Sequence, residues 1–78
     1  MDPRTAAHAL TRIAALLELR GEDRFRSRAY EGAARAVLAL DTDDLGPLVR
    51  DGTLAALPGI GPATLAVLHD LVDTGDSA

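Results

Sequence analysis

The run Pro58-Gly59-Ile60-Gly61-Pro62 constrains the fold more than any other stretch of this chain. Glycine and proline in this density break regular structure and impose a tight turn. Pro62 suits the first position of a new helix, where a missing N–H costs nothing. Before the turn, Thr53 is placed to cap one short turn of helix running to Leu57. Two helical segments therefore meet end to end here. After it, Leu65, Leu68, Leu71 and Val72 supply one buried face, and Gly75 is expected to end the last helix.

The rest of the chain is punctuated in the same manner. Asp2 is expected to cap a first helix with Pro3 at its first position. Leu10, Ile13, Ala14 and Leu17 follow helical spacing, and Gly21 suits the left-handed residue that closes a helix. Glu22-Asp23 opens a second helix with acids near its positive end. Phe25, Ala29, Ala33, Val37 and Leu40 are read as its apolar stripe, and the small residues Ala33, Ala34 and Ala36 allow close approach of another helix. A polar break, Asp41-Thr42-Asp43-Asp44, precedes a short third helix capped by Asp44, with Pro47 in its first turn, Leu45, Leu48 and Val49 facing inward, and Gly52 as its stop.

Phe25 and Tyr30 are the two aromatic residues, and the apolar content comes largely from the strong helix formers Ala and Leu. The expectation is an all-α fold: a single compact four-helix domain over residues 1–78, plus one short extra turn, with no internal repeat. Seventy-eight residues bury only a modest core. The absence of cysteine excludes disulfides and thiolate metal sites. There is no apolar run of membrane-spanning length and no signal-peptide pattern at Met1-Asp2-Pro3-Arg4, so a cytoplasmic monomer is expected. The Thr74–Ala78 tail reads as the edge of a domain taken from a longer protein.

Charge is distributed unevenly. All basic side chains are arginine. Residues 1–35 hold seven of them against five acids, whereas residues 36–78 hold Arg50 alone against seven aspartates. The overall balance of −4 argues against nucleic acid as a partner, while the basic first half argues for it.

The turn has a chemistry of its own. A helix start leaves backbone N–H groups without partners, and the helix dipole makes that end positive. Glycines at 59 and 61 free the backbone and remove Cβ atoms that would obstruct an anion, while Ile60 anchors the loop to the domain. Contacts of this kind hold a phosphate without reading sequence, and they weaken with salt.

Two segments carry a family resemblance. Leu57-Pro-Gly-Ile-Gly-Pro-Ala-Thr-Leu-Ala66 resembles the helix-hairpin-helix motif. The upstream run Gly21-Glu-Asp-Arg-Phe-Arg-Ser-Arg-Ala-Tyr-Glu-Gly-Ala-Ala-Arg-Ala36 resembles a segment of the small N-terminal domain of family X DNA polymerases, including bacterial forms with a C-terminal PHP phosphoesterase domain. The resemblance covers nearly the whole chain. It implies a four-helix domain that docks on DNA at a gap beside a 5′ phosphate, with roles in DNA repair. The implied DNA-phosphate contacts are Gly59, Ile60, Gly61, Ala63 and Thr64, assisted by Arg24, Arg26, Arg28 and Arg35. It also implies a monovalent cation, Na⁺ or K⁺, held by the backbone carbonyls of Ala55, Leu57 and Ile60, and no other cofactor. Some relatives cleave a 5′ sugar-phosphate through a lysine Schiff base. This chain has no lysine, the matching position is Val67, and arginine supplies no primary amine. No enzymatic activity is expected of this chain, whereas a parent protein would carry polymerase or phosphoesterase domains.

Plainer readings exist for each feature. Gly-Ile-Gly can simply join two helices. The arginines of the second helix can form a solvated face paired with Glu22, Asp23 and Glu31. Tyr30 reads as a packing residue, His8 and His69 as surface residues. Asp41, Asp43 and Asp44 lack the glycine and distal glutamate of a calcium loop. The principal alternative function is a protein–protein interaction domain that keeps the fold and has lost DNA affinity. A sequence-reading recognition helix is disfavoured, since Ala63, Thr64 and Leu65 offer one polar side chain.

Overall fold

The computed structural model describes residues 1–21 and 24–74. They form five helices and, among the described residues, no strand: α1 Pro3–Arg20, α2 Arg24–Leu38, α3 Gly46–Arg50, α4 Thr53–Ala56 and α5 Pro62–Thr74. The all-α expectation holds, and α4 is the short extra turn. The expected helix opening at Glu22-Asp23 and the stop at Gly75 lie outside the described residues.

The first helix begins and ends as its sequence dictates. Asp2 accepts the Thr5 N–H at 3.2 Å, Pro3 occupies the first turn, and Gly21 adopts a left-handed conformation whose N–H bonds back to Leu17 and Glu18. Leu10 and Ala14 are buried, with Ile13 and Leu17 packed partly against the core.

The face of α2 differs from the expected stripe. Ser27, Tyr30, Ala33, Ala34 and Val37 are buried, Leu40 is partly so, and Phe25 and Ala29 face out. The reason is geometric. A strict series of fours drifts by about 40° per step on a helix of 3.6 residues per turn, so Phe25 lies roughly 140° round the helix from Tyr30. The buried serine replaces Phe25 because α1 crosses over it: Ser27 Oγ is 3.2 Å from Ala14 O and 3.1 Å from Glu18 Oε1. A larger side chain at that crossing would hold the two helices apart. Tyr30, only 5% exposed, packs as expected.

The caps of the short helices sit one or two residues from their expected places. Leu45, not Asp44, is the residue flanking α3, and Asp44 accepts the Gly46 N–H through its carboxylate at 3.0 Å. Thr53 is the first residue of α4 rather than its cap, and Asp51 Oδ1 takes the Thr53 N–H at 2.8 Å. In both cases an aspartate bonds the amide two residues on, a local bond that its short side chain favours. These bonds hold the Asp44 and Asp51 carboxyls below the ordinary carboxylate range, Asp44 chiefly through Gly46 and Asp51 chiefly through Thr53. Asp44 also pairs with the Met1 ammonium at 3.0 Å, and Met1 O accepts from Leu45 N, so the chain start is fastened to the α2–α3 loop. The Arg50 guanidinium lies against Gly46 beside the same carboxylate.

Val37 from α2 meets Leu45, Leu54, Leu68 and Leu71 in one core, all essentially removed from solvent. Burying each such side chain stabilises the fold by about 1.5–3 kcal/mol. That core sets α5 and the turn before it against α2.

Candidate nucleic-acid interface

The turn between α4 and α5 is built from its sequence outward. Leu57 leaves α4 in an extended conformation, and the Ile60 N–H returns to Leu57 O at 3.2 Å. Pro58 and Gly59 are the two central residues of this turn. Gly59 has φ +95°, which the second of those positions requires and which L side chains rarely adopt. A Cβ there would stand 3.5 Å from both Ala36 Cβ and Gly32 O, so the turn is seated directly on α2. The small residues of α2 thus receive the turn itself. Ile60 is partly buried against the core, as an anchor should be.

Gly61 differs from Gly59. Its φ is not positive, and a Cβ built on it meets nothing within 4 Å. Its carbonyl accepts the Leu65 N–H at 2.9 Å, which makes it the residue that opens α5. Thr64, three residues on, reaches back: its Oγ1 accepts the Gly61 N–H at 2.9 Å and donates to Gly61 O at 3.0 Å. This is one half of a capping box, the threonine bond back to the N-cap amide, which Gly61 has no side chain to reciprocate. The Thr64 side chain is 2% exposed and fully occupied by that duty. Its importance to the turn was not apparent from the sequence, since a lone threonine in a first turn has no distinctive pattern.

The donors left at this end of α5 follow directly. Ile60 and Gly61 N–H are taken internally, and Pro62 has none. Among the described residues, no acceptor takes the N–H of Gly59, Ala63 or Thr64. Of these, Gly59 and Ala63 are exposed and Thr64 is buried, so the backbone donors open to an anion are Gly59 and Ala63, narrower than the full Gly-Ile-Gly run.

The arginines lie on α2. Arg24, Arg26, Arg28 and Arg35 are all exposed. Arg24, Arg28 and Arg35 fall within about 40° of one another round the helix, on a strip next to the one that carries the Gly32–Ala36 seat. Glu31 lies on the same strip, yet among the described residues none of Arg24, Arg28 and Arg35 forms an ion pair with it or with any other acid. Phe25 stands 84% exposed near this strip. An exposed aromatic ring among arginines has the chemistry of a stacking platform for unpaired bases. Sequence reasoning missed it by assigning Phe25 to the core. On α5, by contrast, the exposed charged residues are Asp70 and Asp73, and Val67 is half-buried.

The three carbonyls of Ala55, Leu57 and Ile60 are hard oxygen donors suited to an alkali cation. Leu57 O already accepts the Ile60 N–H, which leaves that oxygen one lone pair for a metal. The phosphate contact uses backbone N–H groups, and no part of it depends on such an ion.

Among the described residues, five helices around one small core, with a glycine turn that leaves backbone amides unpartnered at a helix start, define a small all-α module. The chain belongs to the helix-hairpin-helix domain family, whose profile matches residues 1–77. Domains of this kind generally bind DNA without sequence specificity. No curated protein and no solved structure matches the chain. Among the described residues no helix is long and apolar enough to cross a membrane.

Proposed function

We propose that this domain grips the DNA backbone without reading sequence, and that it docks at gapped or 5′-phosphorylated DNA on behalf of a family X polymerase or a PHP-type repair protein. The observation that carries the reading is Gly61. Neither its conformation nor its packing requires glycine, and a Cβ there would stand in open space at the residue that opens α5, close in sequence to the unpartnered Ala63 amide. A ligand approaching from outside accounts for the missing Cβ. Arg24, Arg28 and Arg35 of α2, which form no ion pair among the described residues, supply the charge that α5 lacks. The likeness of the two quoted segments to the polymerase domain supports the gap-docking role, and exposed Phe25 suits an unpaired stretch of template.

The domain acts as a binding module and a monomer. No lyase step belongs to it, because a Schiff base needs an amine that Val67 and the arginines do not provide. The acidic α3–α5 half favours a second reading, docking on a basic protein surface.

Fluorescence anisotropy with a gapped, 5′-phosphorylated duplex across a salt series separates the two. Contact with two to four phosphates gives a log–log slope of roughly −2 to −4. No binding at low salt favours the protein-docking reading.

A further inference from the structure

Where the end of α1 meets the start of α2 there is a second feature, away from the hairpin. A cavity of about 300 Å³ is lined by Leu17, Glu18, Gly21, Arg24, Ser27 and Arg28. Its walls carry charges of both signs. Among the described residues, neither Arg24 nor Arg28 forms an ion pair with Glu18, although all three line the same space. The carboxylate is held in place from below. Ser27, 1% exposed, has a single hydroxyl proton between Ala14 O and Glu18 Oε1, and Glu18, itself exposed, lines the cavity with Oε2 taking no part in that bond.

This combination restricts the ligand. A simple anion would meet Glu18, and a cation would meet two guanidinium groups. An apolar molecule would gain nothing from the three exposed charges around it and would shield them from water. A nucleotide unit satisfies each wall: its phosphate faces Arg24 and Arg28, its base lies on Leu17, and N–H donors on the base edge face Glu18. Among the bases, guanine offers N1–H and an N2 amino group side by side, the pair that a carboxylate accepts with both oxygens. Arg24 and Arg28 also belong to the strip beside the hairpin seat, roughly 12 Å along α2 from Arg24 to Gly32. A strand held at the hairpin would reach the cavity.

We infer that this cavity receives an unpaired nucleobase of the bound strand, and that Glu18 makes guanine the preferred one. The choice of ligand rests on the DNA-backbone reading. The pocket adds a base preference to a grip that is otherwise indifferent to sequence.

The test uses one-nucleotide-gap duplexes whose unpaired template base is guanine, hypoxanthine or absent. Hypoxanthine lacks only the N2 amino group. The wild-type domain is expected to bind the guanine duplex about tenfold more tightly than the hypoxanthine one. Glu18→Gln brings that ratio to about one. Glutamine still accepts from Ser27 through its carbonyl oxygen, so the fold is retained, which a thermal melt verifies. Guanosine monophosphate, titrated against the labelled domain, is expected to move the amide resonances of Gly21, Ser27 and Arg28 in the wild type and not in Glu18→Gln. Equal affinity for guanine and hypoxanthine, together with unmoved resonances, overturns the inference. If the three duplexes then bind equally with a steep salt dependence, the backbone reading survives alone. If no duplex binds, the backbone reading fails, and the mononucleotide titration decides the pocket by itself.

Discussion

The two halves of this domain divide one task between them. The first, α1 and α2, is long, basic on its outer strip and tied together by Ser27 at the helix crossing. The second, α3 to α5, is short, acidic and organised by turns, and its one arginine lies against Gly46 and beside Asp44. The second half presents open amides without charge, and the first presents charge without a backbone cradle. The contact of Gly59 with Gly32 and Ala36 joins them. On the proposed function, a phosphate-binding turn need not carry its own lysines, provided that it is seated on a helix that supplies arginines.

The largest effect is expected where the halves join. Gly59→Val forces a β-branched residue to φ +95° and drives it toward Gly32 O and Ala36, at a cost of about 2–4 kcal/mol. For a domain of this size, the midpoint of thermal unfolding should fall by about 10–30 °C. A melt within a few degrees of the wild type would mean that the turn is not seated on α2.

Next come the arginines. Replacing Arg24, Arg28 and Arg35 with glutamine removes charge from one exposed strip and leaves the core intact. DNA affinity at low salt should fall roughly 100-fold and the salt slope by about 2–3, with the melting point little changed. Unchanged slope in the triple variant would place the grip elsewhere.

The smallest effect sharpens the comparison from the opposite side. Gly32 lies at the seat, but a Cβ built on it meets nothing within 4 Å, and its backbone is helical. Gly32→Ala should therefore stabilise the domain by up to about 1 kcal/mol, read as a higher melting point, with DNA binding retained. A loss of stability would show that the seat is tighter than the geometry indicates.

Much of this organisation was legible in the sequence, for identifiable reasons. Asp2, Pro3, Gly21 and Pro62 act through local geometry, and each does what its neighbours in sequence require. The 4-then-7 spacing of Arg24, Arg28 and Arg35 fixes their common strip without reference to the rest of the fold. What escaped depends on partners distant in sequence. Ser27 is buried because Ala14 and Glu18 cross above it, a fact nothing within α2 announces. Phe25 followed apolar spacing and was read inward, although α1 leaves that side of α2 uncovered. The two hairpin glycines look alike in sequence, and the structure gives them different duties: Gly59 serves the fold, while Gly61 leaves open space.

That distinction gives the most direct test. Gly61→Val adds bulk at the residue that opens α5, where a Cβ meets no protein atom within 4 Å. Valine is a poor residue at the start of a helix, so a cost of up to about 1 kcal/mol is expected and the domain stays folded at 25 °C. Anisotropy with gapped, 5′-phosphorylated DNA should then show affinity reduced about tenfold or more, the worth of a hydrogen bond to a charged group. A folded Gly61→Val domain that binds this DNA as tightly as the wild type would contradict the hairpin's role in holding the phosphate.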